Sequence, residues 1–184
     1  MCRVMAEGGF ETVVAAHHAE IHRYLVRLTG RASEADDLSQ ETFLRAYRAH
    51  RRLPGDANIR AWLFAIATNL CRNHFRGEKR RRLAHAAVGA EPVPADIGTP
   101  EGEAVLAEAR VRATEVVAGL PLKQRMAFTM RKIHDLEYEA IGASLGCSAD
   151  SARAHVFQAL KKIRRGLDGL APVDSGQRST EAKR

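Results

Sequence analysis

Aromatic residues are scarce, at 5% of the 184 positions, so any core must be built from Leu, Ala, Val and Ile. That composition favours helices. There are only three cysteines, Cys2, Cys71 and Cys147, widely spaced and with no CxxC pair. An odd, scattered set argues against a disulfide framework and fits a reducing compartment. No apolar run reaches the roughly 20 residues that span a bilayer. Met1 to Glu20 lacks the basic-then-apolar order of a signal peptide. A cytoplasmic protein is expected. Strand signals are nearly absent, without sustained alternation and without an Asn-Gly or Asp-Gly hairpin pair. No Gly-rich phosphate loop occurs, and no nucleophile–base pair is suggested, so an enzyme is not expected. His17, His18 and His22 resemble a metal cluster, but no third ligand is evident, and neither a metal nor a cofactor is expected. Cys71 and Cys147 read as small apolar core residues.

What the sequence has is positive charge and helical periodicity. Net charge is +7 and the pI is about 9.8, a balance that favours a polyanionic partner. The spacing predicts helices over 10–28, 33–51 and 58–81. Gly30 ends the first, Ser33 caps the second, and Pro54-Gly55 break the chain before the third. From Ala84 to Ala109 there is no Lys or Arg, while Glu91, Asp96, Glu101, Glu103 and Glu108 sit among prolines and glycines. This stretch reads as an acidic linker running into a helix near 102–118. Pro121 suits the first turn of a helix reaching Ile133. Two more follow, over 137–145 and 149–168, and the polar tail from Pro172 is expected to be disordered. The fold class is all-α: two small helical domains joined by a flexible acidic linker. The expected boundaries are 10–83, linker 84–103, 104–170 and tail 171–184.

Charge falls in blocks. Glu34, Asp36, Asp37 and Glu41 form an acidic stretch without a base, whereas Arg72, Arg76, Lys79, Arg80, Arg81 and Arg82 face only Glu78. Arg153, Lys161, Lys162, Arg164 and Arg165 form a second basic block. Two basic segments flanking an acidic linker suggest two contacts on one long polyanion; solvated helix faces are the alternative.

The sharpest local signal lies between Glu137 and Phe157. A helix ends at Leu145, Gly146 suits a left-handed turn, and Ser148 can cap the next helix. Ile141 and Leu145 are placed to pack on Ala152 and Val156. This is helix–turn–helix spacing, whose second helix enters the major groove. On a wheel with 100° steps, Ala152, Val156, Ala159, Leu160 and Ile163 share an arc of about 100°. Ala154, Phe157, Gln158 and Lys161 lie opposite, flanked by Arg153. Phe157 is apolar where the pattern demands solvent, so it either touches a thymine methyl or packs on an earlier helix. A second anomaly is Trp62, which shares a stripe with Asn69, Arg72, Asn73 and Arg76, within about 80° of it. Arginines neutralise phosphate, amides bond exposed bases and an aromatic face replaces a lost stacking partner. The alternative places Trp62 at a helix–helix seam.

These segments resemble the extracytoplasmic-function (ECF) group of the sigma-70 family. The run from Ala35 to Arg48, Ala-Asp-Asp-Leu-Ser-Gln-Glu-Thr-Phe-Leu-Arg-Ala-Tyr-Arg, looks like the polymerase-binding segment. Asn58 to Asn73 looks like the segments that melt and read the −10 element. Leu120 to Phe128 and the helix–turn–helix look like the −35-reading domain. The resemblance implies an alternative sigma factor that recruits core polymerase through its clamp helices and flap, binds promoter DNA and takes an anti-sigma partner. It places Asp37, Leu38, Gln40, Glu41 and Phe43 on the clamp-docking helix. It assigns Arg52, Asp56, Asn58, Arg60, Trp62, Asn69, Arg72, Asn73 and Arg76 to −10 DNA. It assigns Ser148, Ser151, Arg153, Ala154, Phe157, Gln158 and Lys161 to the −35 groove. Gln158 departs from the family, where a basic residue is common. The linker acids would mimic nucleic acid in the polymerase cleft. An ordinary helix–turn–helix regulator is the rival reading; it leaves the acidic segment 34–41 and the Trp62 stripe without a role.

Overall fold

The computed structural model describes residues 9–86 and 104–167, and every element in them is helical. The first half holds α1 (Gly9–Thr29), α2 (Ala32–Ala49), a 3-10 turn (His50–Arg52) and the long α3 (Ile59–Ala86). The second holds α4 (Ala104–Ala118), α5 (Leu122–Lys132), α6 (Tyr138–Leu145) and α7 (Ala149–Leu167). Most of the expected linker and the whole expected tail lie outside the described residues.

Gly30 takes a φ of 74°, which lets α1 stop and turn straight into α2. The expected Ser33 cap does not form: α2 starts one residue earlier, after Arg31, with no side-chain cap. Arg31 reaches forward to Glu34 at 2.8 Å, and the Thr29 hydroxyl bonds the carbonyls of Leu25 and Arg31, both at 3.0 Å. Those contacts fix the corner instead. Similarly, Pro121 is the residue before α5 rather than its first turn. α3 also continues to Ala86, past the expected end at 81.

In the first half, Ile21, Tyr24, Leu25 and Leu28 of α1 meet Leu63, Phe64, Ala67 and Cys71 of α3, all essentially buried. Each large side chain removed from water in this way stabilises the fold by about 1.5–3 kcal/mol. The Tyr24 hydroxyl keeps a partner inside this core, the Thr68 hydroxyl at 2.8 Å. Burial pushes that phenol far above its ordinary value. Cys71 is free and buried, and burial raises its thiol to about 12, so it is packing material and not a nucleophile.

The second half closes Met126, Ala127 and Met130 of α5 onto Ile141 and Leu145 of α6 and Ala152 and Val156 of α7. The two expected domains are in contact: their buried residues form one continuous cluster. α3 lies along α6, and α1 touches α5. The rings of Tyr24 and Phe64 lie 5.7 and 5.0 Å from His134, which follows α5. Composition alone did not reveal this seam, because its apolar residues also satisfy each half's own helical period.

Candidate nucleic-acid interface

The helix–turn–helix is built as the residue pattern predicts. Gly146 sits in the left-handed region, with φ 66° and ψ 47°, and ends α6. Gly142, inside α6, is needed for a different reason. A Cβ there would stand 2.7 Å from the Cys147 carbonyl oxygen, so only glycine lets the turn fold back this closely. The Ser148 hydroxyl accepts the Ser151 backbone N–H at 3.2 Å and donates to the Ser151 hydroxyl at 3.0 Å. Both serines are therefore occupied in capping α7, although they remain exposed.

Ala152, Val156 and Ala159 face inward, as the wheel requires, whereas Leu160 on the same arc is 40% accessible and Ile163 is half-buried. Arg153, Ala154, Phe157, Gln158 and Lys161 are exposed on the other side. Phe157 is 64% accessible, so it does not pack on an earlier helix. Arg153 bonds Asp150 at 2.8 Å, and its guanidinium lies 5.0 Å from the Tyr138 ring centre. Arg131 stacks on the same ring at 5.2 Å. Tyr138 thus steadies a cation at the edge of the exposed face, a contribution that the sequence reading missed.

The α3 surface divides more sharply. Asn69, Asn73 and Arg76 are exposed together, with Arg52 and Asp56 exposed on the loop before the helix. Asn58 accepts the Ala61 N–H at 3.0 Å and serves as the cap of α3. Trp62 is half-buried and packs on the shared core, the seam alternative of the sequence reading. Arg60 is not free either. Its Nε and Nη2 donate to the Glu20 carboxylate at 3.0 and 2.5 Å, and Nη2 also donates to the His134 carbonyl. That fork raises the guanidinium's already high pKa. Arg72 reaches toward the Leu145 carbonyl of α6 at a long 3.4 Å. The second half adds two cations that were not anticipated. Lys123 and Arg125 of α5 join Arg72, Arg76, Lys79 and Arg82 of α3 around an open groove of about 440 Å³. Arg125 lies 5.2 Å over the Phe75 ring, and burial lowers its pKa. A groove lined by these cations and no acid is suited to phosphate oxygens.

On α2, Asp37 and Gln40 are exposed and Glu41 is half-exposed, holding Arg45 at 2.6 Å. Phe43, by contrast, is 8% accessible and belongs to the core, and Leu38 is half-buried against it. The apolar part of the surface is Leu44 and Tyr47, 44% and 56% accessible. Asp37, Gln40, Leu44 and Tyr47 follow the i, i+3, i+7, i+10 spacing of one helical stripe, a signal present in the sequence. Gln40, Leu44 and Tyr47, with Phe10, His18, Asp36 and Phe43, border a shallow hollow of about 470 Å³.

Residues 13–81 match the family described as Sigma-70 region 2, and residues 110–163 match Sigma-70, region 4. The RNA polymerase sigma-H factor of Pseudomonas aeruginosa is 31% identical over 169 residues, spanning 88% of this chain and 87% of that protein.

The chain belongs to the sigma-70 family.

Within that family it falls in the ECF group. The ECF sigma-E factor of Salmonella typhimurium strain LT2 is 31% identical over 139 residues, covering 72% of this chain and 73% of that protein. Two solved structures share the sigma fold at lower identity. One is the sigma factor RpoE in complex with the anti-sigma factor NepR from Bartonella quintana. It has a TM-score of 0.71 and 21% identity, and the match covers 86% of this chain and 96% of that one. The other is CnrH in complex with the cytosolic domain of CnrY, with a TM-score of 0.65 and 22% identity, covering 91% and 95%. No helix among the described residues is long and apolar enough to cross a membrane.

Proposed function

We propose that this sigma-70 family chain is an alternative sigma factor that docks on core RNA polymerase, recognises −35 and −10 promoter elements and promotes DNA opening. The observation that carries the reading is the outward face of α7. Phe157, Gln158, Arg153 and Lys161 stand exposed on a helix–turn–helix whose other face buries Ala152, Val156 and Ala159. A helix with that face enters a major groove, with Phe157 against a thymine methyl and its neighbours on base edges and phosphate. In the same chain, Asn69, Asn73 and Arg76 offer amides and a cation to unpaired DNA. The Asp37–Gln40–Leu44–Tyr47 stripe offers a mixed acidic and apolar surface to a basic polymerase clamp. An ordinary helix–turn–helix regulator has no use for that stripe.

Binding supplies the work. Several contacts to unstacked bases, each about 1–3 kcal/mol, offset the opening of a few base pairs. No hydrolysis is called for, and the chain acts as a specificity subunit rather than an enzyme. It works in the cytoplasm, where polymerase and promoters are.

The packed halves must part during this task. At 3.4 Å per base pair, elements about 25 base pairs apart lie roughly 85 Å from each other along the duplex. A globule of this length has a radius of gyration of about 16 Å, hence a span near 40 Å. One closed body cannot touch both elements. Polymerase therefore holds the halves apart, and the affinity comes from engaging both at once. An anti-sigma partner would act by occupying or locking these surfaces. The test is duplex binding with and without core enzyme. Promoter DNA is expected to be bound weakly by the chain alone and tightly by the mixture; tight sequence-specific binding without polymerase, unchanged on adding it, would favour the simple regulator.

A further inference from the structure

One cluster of side chains is used by none of these surfaces. Glu34 lies in the first turn of α2, and His74 and Glu78 are one turn apart on α3. His74 Nε2 is 3.1 Å from a Glu34 oxygen and 3.8 Å from a Glu78 oxygen. All three donor atoms lie within 4.8 Å of one another. Their side chains are only 20–27% accessible, so the group sits in the crevice between two helices and is not spread over open surface. Arg31 occupies the other Glu34 oxygen at 2.8 Å and orients that carboxylate, leaving the second oxygen directed at His74.

We propose that Glu34, His74 and Glu78 form a binding site for a divalent transition-metal cation of the zinc class. Around a tetrahedral ion with ligand bonds near 2.1 Å, neighbouring donors stand about 3.4 Å apart. The separations of 3.1 and 3.8 Å bracket that value, and the third edge, between Glu34 and Glu78, is within 4.8 Å. With Arg31 already compensating Glu34, the Glu78 carboxylate supplies the negative charge that a cation would satisfy. The imidazole selects zinc-like ions over calcium or magnesium, which favour all-oxygen sites. Glu34 is at the start of the helix that carries the polymerase-docking stripe, and His74 lies beside the −10-facing amides. A bound ion would pin these two helices together at the point where α2 begins.

The test uses the full, untagged chain and calorimetric titration with Zn2+, followed by Co2+, whose visible absorption reports its coordination. One ion per chain is expected. His74→Asn and Glu78→Gln should each weaken binding at least tenfold while the helical circular dichroism stays unchanged. Zn2+ should raise the melting temperature of the parent chain and not that of His74→Asn. The alternative ligands are the stacked pair His18 and His22, with Asp36 at 2.8 Å from His22, and the free thiol of Cys147. His22→Ala and Cys147→Ser should leave the titration unaltered. No saturable binding, or binding that survives His74→Asn and Glu78→Gln but is lost with either of those two controls, overturns the proposal.

Discussion

Arg60 of α3 grips Glu20 of α1 through two nitrogens, and the same guanidinium bonds the His134 carbonyl of the second half. One side chain thus closes the first half and latches the second onto it. Arg60 was expected to face −10 DNA, and in the closed structure it is committed elsewhere. Arg60→Ala should loosen the seam. With Arg60 about a third accessible, the loss in unfolding free energy should be about 1–2 kcal/mol. Small-angle scattering should show a larger radius of gyration for the variant, and Glu20→Gln should act in the same direction. An unchanged radius would mean that the other contacts alone hold the halves together.

Acidification should weaken the same seam. Burial holds His134 below its ordinary 6.5, with the Glu20 carboxylate pulling the other way. Its Nε2 is buried without a partner, so protonation there would bury an unpaired N–H. Burial alone would raise Glu20, but hydrogen bonds from Arg60 and His134 outweigh it and hold the carboxyl below 4.5. Both groups bind more protons unfolded than folded, so stability is lost as pH falls. The His134 part is complete above 6.5 and declines below it; the Glu20 part follows below 4.5. Urea midpoints between pH 7.5 and 4 should fall accordingly, and His134→Asn should flatten the upper portion of that decline.

Phe157→Ala should separate recognition from stability. The ring is 64% accessible, so the melting curve should shift by no more than about 0.5 kcal/mol. Binding of the polymerase-bound chain to −35 duplex should weaken by about 1–3 kcal/mol, roughly 5- to 150-fold. Equal affinity for duplexes with and without the preferred thymine would remove Phe157 from the reading face.

The proposed docking stripe can be split from the core on a single helix. Leu44→Ala with Tyr47→Ala should abolish co-elution with core polymerase and leave the melting temperature nearly unchanged. Phe43→Ala, one residue away, should instead destabilise the chain by about 3–5 kcal/mol, because Phe43 is 8% accessible and packed in the core. Comparable melting shifts for both variants would contradict the assignment.

Legibility from sequence followed locality. Helix positions, the Gly146 turn, the Ser148 cap and the outward Phe157 all rest on interactions within a few residues, and each is visible in spacing alone. On α2 the spacing also distinguishes Leu44 and Tyr47 from Phe43, yet the run of apolar letters hid it. What could not be read is the seam between the halves. Arg60 and Arg72 carry chemistry suited to DNA, and only their distant partners, Glu20, His134 and Leu145, show that the closed structure uses them otherwise. The Ser33 cap failed for a local reason instead: Arg31 pairing with Glu34 and the Thr29 hydroxyl already fix the corner.

As a sigma factor, this chain tells core polymerase where to begin. The most direct measurement is run-off transcription with purified core enzyme, the chain and a library of promoter fragments. Transcripts of defined length from templates sharing one −35 and one −10 sequence are predicted, absent without the chain and lost in the Leu44/Tyr47 double variant. Start sites identical with and without the chain would contradict it.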